Sequence, residues 1–173
     1  PPMFTQLYLS PIGQLLLTAD DTALVALRFC DEGRSCLLSD DAACNDHAIL
    51  QAAKHWLDVY FSGQEPSFMP PLRPVGTDFQ QEVWQLLRAI PYGKTTTYGE
   101  LAAALAARHS IPRMSAQAVG GAVGRNPIPI FIPCHRVVGS GGKLTGYSGG
   151  LEKKQFLLSN EHIVLPHYSA IVP

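Results

Sequence analysis

The chain has 173 residues, of which 46% are hydrophobic and 16% charged. That is enough apolar material to bury a core in one globular domain or two small ones, and it argues against disorder. No apolar run reaches membrane-spanning length, and Pro1-Pro2-Met3-Phe4 lacks the basic flank and apolar stretch of a signal peptide. A first residue of Pro points to an initiator Met or a few residues missing ahead of it.

Cys30, Cys36, Cys44 and Cys134 form no CxxC pair and no Cys/His set with zinc-like spacing. No metal and no disulfide framework are expected, which fits a reducing cytoplasm. The net charge of −1 hides an asymmetry. Residues 1–75 hold four Lys/Arg against nine Asp/Glu, and residues 76–173 hold nine against five. A polyanion would be repelled by the first part and attracted to the second, although ordinary charge scatter explains the split about as well.

In chain order, Phe4–Leu9, Gln14–Thr18 and Ala23–Phe29 read as short strands separated by Pro11-Ile12-Gly13 and Asp20-Asp21-Thr22. Residues 31–46 are polar and read as loop. His47 to Phe61 carries Ile49, Leu50, Ala53, Leu57 and Tyr60 at helical spacing and stops at Ser62-Gly63. Residues 62–76 contain Pro66, Pro70, Pro71 and Pro74, so a linker and a domain boundary are expected there.

Thr77-Asp78-Phe79-Gln80 is a capping box that opens a helix, and Pro91-Tyr92-Gly93 closes it. Thr97-Tyr98-Gly99-Glu100 is a second capping box with Leu101, Ala102 and Leu105 behind it. Polar residues 108–114 interrupt, and Ser115 caps a third helix from Ala116 to about Val123. A helix, a turn and a short helix of small residues fit a helix-turn-helix or a generic helical hairpin. The alternating prolines of 127–133 forbid a helix and a central strand, so this segment is expected to be extended. Two glycine-rich loops, 139–142 and 146–150, follow, and a last helix spans about Leu151 to Asn160.

The extended segment delivers Cys134-His135. A thiol is a nucleophile only as thiolate, and an imidazole held by a carboxylate can raise that fraction. His135 supplies the imidazole and Glu161 a carboxylate. A bare Cys-His pair is more often a small buried side chain beside a chance His. The rigid proline run before it and the glycine loops after it favour a site.

Ile132-Pro133-Cys134-His135-Arg136-Val137-Val138 resembles the active-site motif of the O6-alkylguanine-DNA alkyltransferases, also called methylated-DNA–protein-cysteine methyltransferases. Phe79…Val83-Trp84, Tyr98-Gly99-Glu100-Leu101-Ala102, Ala118-Val119-Gly120-Gly121-Ala122, Arg125-Asn126-Pro127, Gly146-Tyr147-Ser148-Gly149-Gly150 and Glu161 follow in the family's order. The match covers about residues 76–162.

The resemblance implies an α/β fold: a small N-terminal sheet-plus-helix domain, then a mainly helical C-terminal domain with a helix-turn-helix. The domains would be a ribonuclease H-like 1–75 with its Pro-rich linker, a DNA-binding and catalytic 76–165, and a tail 166–173. It implies that Cys134 takes the alkyl group permanently, in a single turnover without cofactor. His135 would act as base through a water, oriented by Glu161, with Asn126 bracing the turn and Tyr98 donating to a guanine ring nitrogen. Carbonyls of Cys134 and Val137 and the Ser148 N–H would bind the base, with Tyr147 and Pro129 lining the pocket.

The implied partner is double-stranded DNA containing O6-alkylguanine, bound through its minor groove by a monomer with no membrane association. The implied DNA contacts are Thr97, Arg113, Gln117, Ala118, Gly121, Ala122 and Arg125. The family usually carries an arginine that enters the base stack; here Gln117 stands in its place. Rival readings are a Cys-His hydrolase, a lesion-flagging relative (those lack the cysteine) and a DNA-binding regulator.

Overall fold

The computed structural model describes residues 2–30, 36 and 46–166. Most of the expected 31–46 loop, Cys44 and all but the first residue of the expected tail lie outside the described residues. The chain divides into two compact units, Pro1–Val75 with Pro127–Phe131, and Gly76–Asn126 with Ile132–Pro173.

In the first unit, strands β1 (Phe4–Ser10), β2 (Gly13–Ala19) and β3 (Leu24–Cys30) form an antiparallel sheet in the order β1-β2-β3. Between β2 and β3, the Asp20 carboxylate accepts from the N–H groups of Thr22 and Ala23, both at 2.8 Å, and pairs with Arg73. An aspartate that bonds forward to the backbone in this way makes a stable turn. The free edge of β3 is covered by proline-containing chain. Leu24 bonds to Pro71 and Arg73, and Leu27 N–H donates to the Pro127 carbonyl at 2.9 Å. Proline has no N–H to offer, so it serves here as acceptor at an edge.

Helix α1 (Ala48–Phe61) lies on the sheet through Leu50, Ala53, Trp56, Leu57 and Tyr60. His47 caps it, accepting from Leu50 N–H through Nδ1 at 3.4 Å, and its ring packs on Phe4. Cys30 and Cys36 are joined in a disulfide, which the sequence reading did not expect. The two residues are six apart in sequence.

In the second unit, α2 (Asp78–Arg88) and α3 (Tyr98–Arg108) each start with a complete capping box, on Thr77 and Thr97. Helix α4 (Ala116–Gly124) is capped by Ser115, and α5 (Leu151–Asn160) runs to Glu161. Helices α2, α3 and α4 pack on one another. The Trp84 indole N–H donates to the Ala122 carbonyl at 2.9 Å and ties α2 to α4 in the interior. Thr96–Thr97 (β4) and Val137–Val138 (β5) form a short parallel ladder that sequence patterning did not reveal. No helix among the described residues is long and apolar enough to cross a membrane.

The segment 127–133 departs from the extended conformation expected of it. Ile130 has φ 74°, a left-handed geometry that is rare for a β-branched residue, and 127–131 belongs to the first unit. Buried Ile128, Ile130 and Phe131, with Phe131 stacked on Trp56, hold that turn in place.

Candidate active site

Cys134 opens a single helical turn, Cys134–Arg136, that runs directly into β5. Its side chain borders a cavity of about 320 Å³ lined by Tyr98, Gly120, Val123, Gly124, Gly146, Tyr147 and Ser148. The residue is 5% exposed, and burial pushes its thiol up to about 11. Hydrogen bonds from the Asn126 and Tyr147 side chains and the charge of Lys154 partly offset that burial. Asn126 also donates through Nδ2 to the Ile132 carbonyl at 2.8 Å, so one side chain ties the end of α4 to the backbone before the cysteine.

His135 and Glu161 are both buried, and His135 Nε2 bonds to Glu161 Oε2. Glu161 Oε1 accepts from Arg136 Nε at 2.8 Å and from Gly93 N–H at 3.1 Å. Gly93 has φ 77°, which glycine tolerates readily and which lets its N–H turn to that carboxylate. Arg136 Nη1 donates to the Ile90 carbonyl at 2.8 Å, and its guanidinium sits 5.7 Å from the Tyr92 ring centroid. Burial alone would raise the Glu161 pKa, but the bonds from His135, Arg136 and Gly93 win and hold it down to about 2. Burial lowers the His135 pKa, and the adjacent carboxylate only partly restores it, so a neutral imidazole sits beside an ionised carboxylate.

Lys154 is fully buried, and sequence reasoning overlooked it. Its Nζ donates to the Thr145 carbonyl at 2.7 Å and the Gly146 carbonyl at 3.3 Å, while burial lowers its pKa to about 8. It shares the inward face of α5 with Leu157 and Leu158, three and four positions on. A lysine on an apolar helical stripe was the available signal.

Cys134, Tyr98, Tyr147 and Ser148 therefore meet at one cavity, and His135, Glu161 and Asn126 support it from behind. Val137 is fully buried in β5 and Pro129 is buried in the first unit; neither is among the lining residues. On α4, Val119, Ala122 and Val123 point inward at the spacing i, i+3, i+4, while Gln117, Ala118 and Gly121 are exposed. Ala122 therefore cannot belong to the outer face on which the sequence reading placed it. Thr97 is engaged as the cap of α3. Arg113 and Arg125 are exposed and form no ion pair among the described residues. No group of three or more His, Cys, Asp or Glu among the described residues could hold a metal ion.

Residues 78–163 match the family model for the 6-O-methylguanine DNA methyltransferase DNA-binding domain. Residues 3–74 match that for the ribonuclease-like domain of the same proteins. The chain belongs to the 6-O-methylguanine DNA methyltransferase family. It is 43% identical over 159 residues to the methylated-DNA–protein-cysteine methyltransferase of Methanosarcina acetivorans, covering 92% of this chain and 98% of that one. It is 42% identical over 157 residues to the Haemophilus influenzae protein of the same name, covering 90% and 84%. Among solved structures, Mycobacterium tuberculosis O6-methylguanine methyltransferase superposes with TM-score 0.76 at 38% identity, over 92% of this chain and 93% of that one. Mycobacterium tuberculosis OGT in complex with DNA gives TM-score 0.73 at 42% identity, over 92% and 91%.

Proposed function

We propose that this chain repairs double-stranded DNA by moving a methyl or other small alkyl group from O6 of guanine onto Cys134, once per molecule. The observation that carries this reading is the single free thiol among the described residues, set at a cavity beside Tyr98 and Ser148 and backed by the buried His135–Glu161–Arg136 network. A thiol raised to about 11 is mostly protonated at neutral pH, so it needs a base. His135, kept neutral, takes the thiol proton through a water, and Glu161 stabilises the imidazolium that forms.

The sulfur then attacks the alkyl carbon. The S–C bond forms, the C–O6 bond breaks, and the electron pair passes into the guanine ring. Tyr98 donates its phenol proton to ring nitrogen N3 as that charge grows, and the Ser148 N–H donates to O6. No group at the site can displace an alkyl from a thioether, so the protein is consumed. A base stacked in a duplex cannot reach such a cavity, which is why the nucleotide is flipped out. The exposed face of α4, with Gln117 and the small residues Ala118 and Gly121, suits close approach in the minor groove, and Arg113 and Arg125 supply phosphate contacts. The protein acts as a monomer, which a sizing column with and without DNA tests.

The decisive experiment is intact mass after mixing with excess duplex containing O6-methylguanine. The protein should gain one methyl group, located on Cys134, and Cys134→Ala should gain none. Multiple turnovers, or methylation at Cys30, Cys36 or Cys44, would overturn the reading. A Cys-His hydrolase would instead turn over small esters without DNA.

A further inference from the structure

Thr145 lies between two features of the site. Its carbonyl is held by the buried ammonium of Lys154, and its hydroxyl Oγ1 lies 3.4 Å from the Tyr98 hydroxyl. Among the described residues, Thr145 is the hydrogen-bond partner of the Tyr98 side chain. The Tyr98 backbone is fixed independently as the first residue of α3, behind the Thr97 cap. Its ring faces Gly120, where an added Cβ would lie 3.8 Å from Cδ1 and Cε1. The phenol is therefore set by the start of α3, and its hydroxyl meets Thr145 from the loop side.

We propose that Thr145 is a positioning residue that accepts nothing from Tyr98 but donates to it, so that the Tyr98 proton is left for the substrate. The assignment follows from counting protons, and it rests on the reading of Tyr98 given above. A phenol has one proton and can both donate and accept. The ring nitrogen of the target guanine has no proton, so Tyr98 must donate to it. Tyr98 can then only accept from Thr145, whose own hydroxyl proton has no other acceptor among the described residues. The result is a chain in which Thr145 O–H points to the Tyr98 oxygen and Tyr98 O–H points to the base. Accepting a hydrogen bond polarises a hydroxyl and makes it a better donor, so the second bond strengthens as the guanine gains electrons. At 3.4 Å in the free protein the first bond is long, and catalytic bonds of this kind tighten when substrate is bound.

The Lys154 clamp is what makes the loop residue dependable. A threonine on a glycine-rich loop would otherwise lose much of its effect to backbone motion. Nζ fixes the carbonyls of Thr145 and Gly146 together, two and one residues before Tyr147, which lines the same cavity.

The test is a comparison of single-turnover rates on two duplexes, one with O6-methylguanine and one with its 3-deaza analogue, in which the ring acceptor is a C–H. Thr145→Val keeps the shape and removes the hydroxyl. It should slow the first substrate about three- to tenfold, the range expected for one hydrogen bond. It should cause no further loss on the 3-deaza duplex. Thr145→Ser should recover most of the rate, and Thr145→Val should add little to Tyr98→Phe. A Thr145→Val that slows both duplexes equally, or whose effect adds fully to that of Tyr98→Phe, would overturn the inference while leaving the Tyr98 role intact. A Tyr98→Phe that slows both duplexes equally would remove the Tyr98 role, and the inference with it.

Discussion

Arg136 Nε and His135 Nε2 bind opposite oxygens of the Glu161 carboxylate, Arg136 on Oε1 at 2.8 Å and His135 on Oε2. The arginine neutralises much of the carboxylate charge, and the histidine stays neutral until it receives a proton. Glu161 is held near 2 against an ordinary 4.5, so an unfolded chain takes up its proton while the folded one does not. That stability is present above about pH 4.5 and is lost as pH falls towards 2, and for a buried group it amounts to about 3 kcal/mol. His135, with its pKa lowered below 6.5, acts in the same direction, because the unfolded chain protonates first. Urea denaturation should show stability falling steadily from pH 6.5 to pH 3. Glu161→Gln should be less stable at pH 7, with a shallower decline on acidification. An equally steep decline in the variant would mean that other carboxylates control acid unfolding.

Lys154 offers a separate handle on the thiol. Lys154→Met removes the buried ammonium with little change in volume, and it also takes the donor from the Thr145 and Gly146 carbonyls. The Cys134 thiol should then lose the Lys154 charge that holds it down and titrate above about 11. Alkylation of Cys134 by iodoacetamide at pH 7, where Lys154 is still mostly charged, should slow by about tenfold, which corresponds to one pKa unit. An unchanged pH profile with slower DNA repair would show that Lys154 serves only to hold the Thr145–Gly146 carbonyls.

Arg113 and Arg125 carry charge that no acidic neighbour among the described residues offsets. If they contact phosphates, Arg113→Ala and Arg125→Ala should each weaken DNA binding and reduce the slope of log affinity against log salt by about 0.9. Fluorescence anisotropy with a labelled duplex at several salt concentrations measures this. A loss of affinity with no change in slope would place the residue elsewhere than at a phosphate.

The helices were legible because their signals are local. Both capping boxes, on Thr77 and Thr97, appear in the sequence and in the structure, and the apolar spacing of α1 marks its buried face correctly. The cysteine–histidine pair was legible for the same reason, since proline and glycine on either side fix its setting. What was hidden depends on contacts between distant residues. Gly93 N–H reaches Glu161 across 68 positions, and Arg136 reaches Ile90 across 46, which no periodicity encodes. The turn at Ile130 was missed because alternating prolines suggest an extended chain, whereas buried Ile128 and Phe131 impose a left-handed residue between them. Ala122 was misplaced because small residues look alike on both faces of α4, and only burial beside Val119 and Val123 shows which face is inside.

Gln117 is exposed on α4, one residue after its first helical position, with Ala118 and Gly121 beside it on the open face. A flipped nucleotide leaves a gap in the base stack, and unstacking costs a few kcal/mol that a filling side chain can partly recover. An arginine would fill the gap with a planar cation that also draws on the phosphates. Gln117 has a planar amide of similar reach and can hydrogen-bond the orphaned base, but it brings no charge. Arg113 and Arg125, without an ion pair among the described residues of the same unit, can supply the missing attraction. Gln117→Ala should therefore slow repair of duplex DNA by at least tenfold, equivalent to about 1.4 kcal/mol of the unstacking cost. It should leave the reaction with free O6-benzylguanine nearly unchanged, because a free base needs no flipping. Gln117→Arg should be at least as fast as the wild type on the duplex. Equal slowing on both substrates would show that Gln117 shapes the pocket or the helix, and wild-type rates on both would place the gap-filling residue elsewhere.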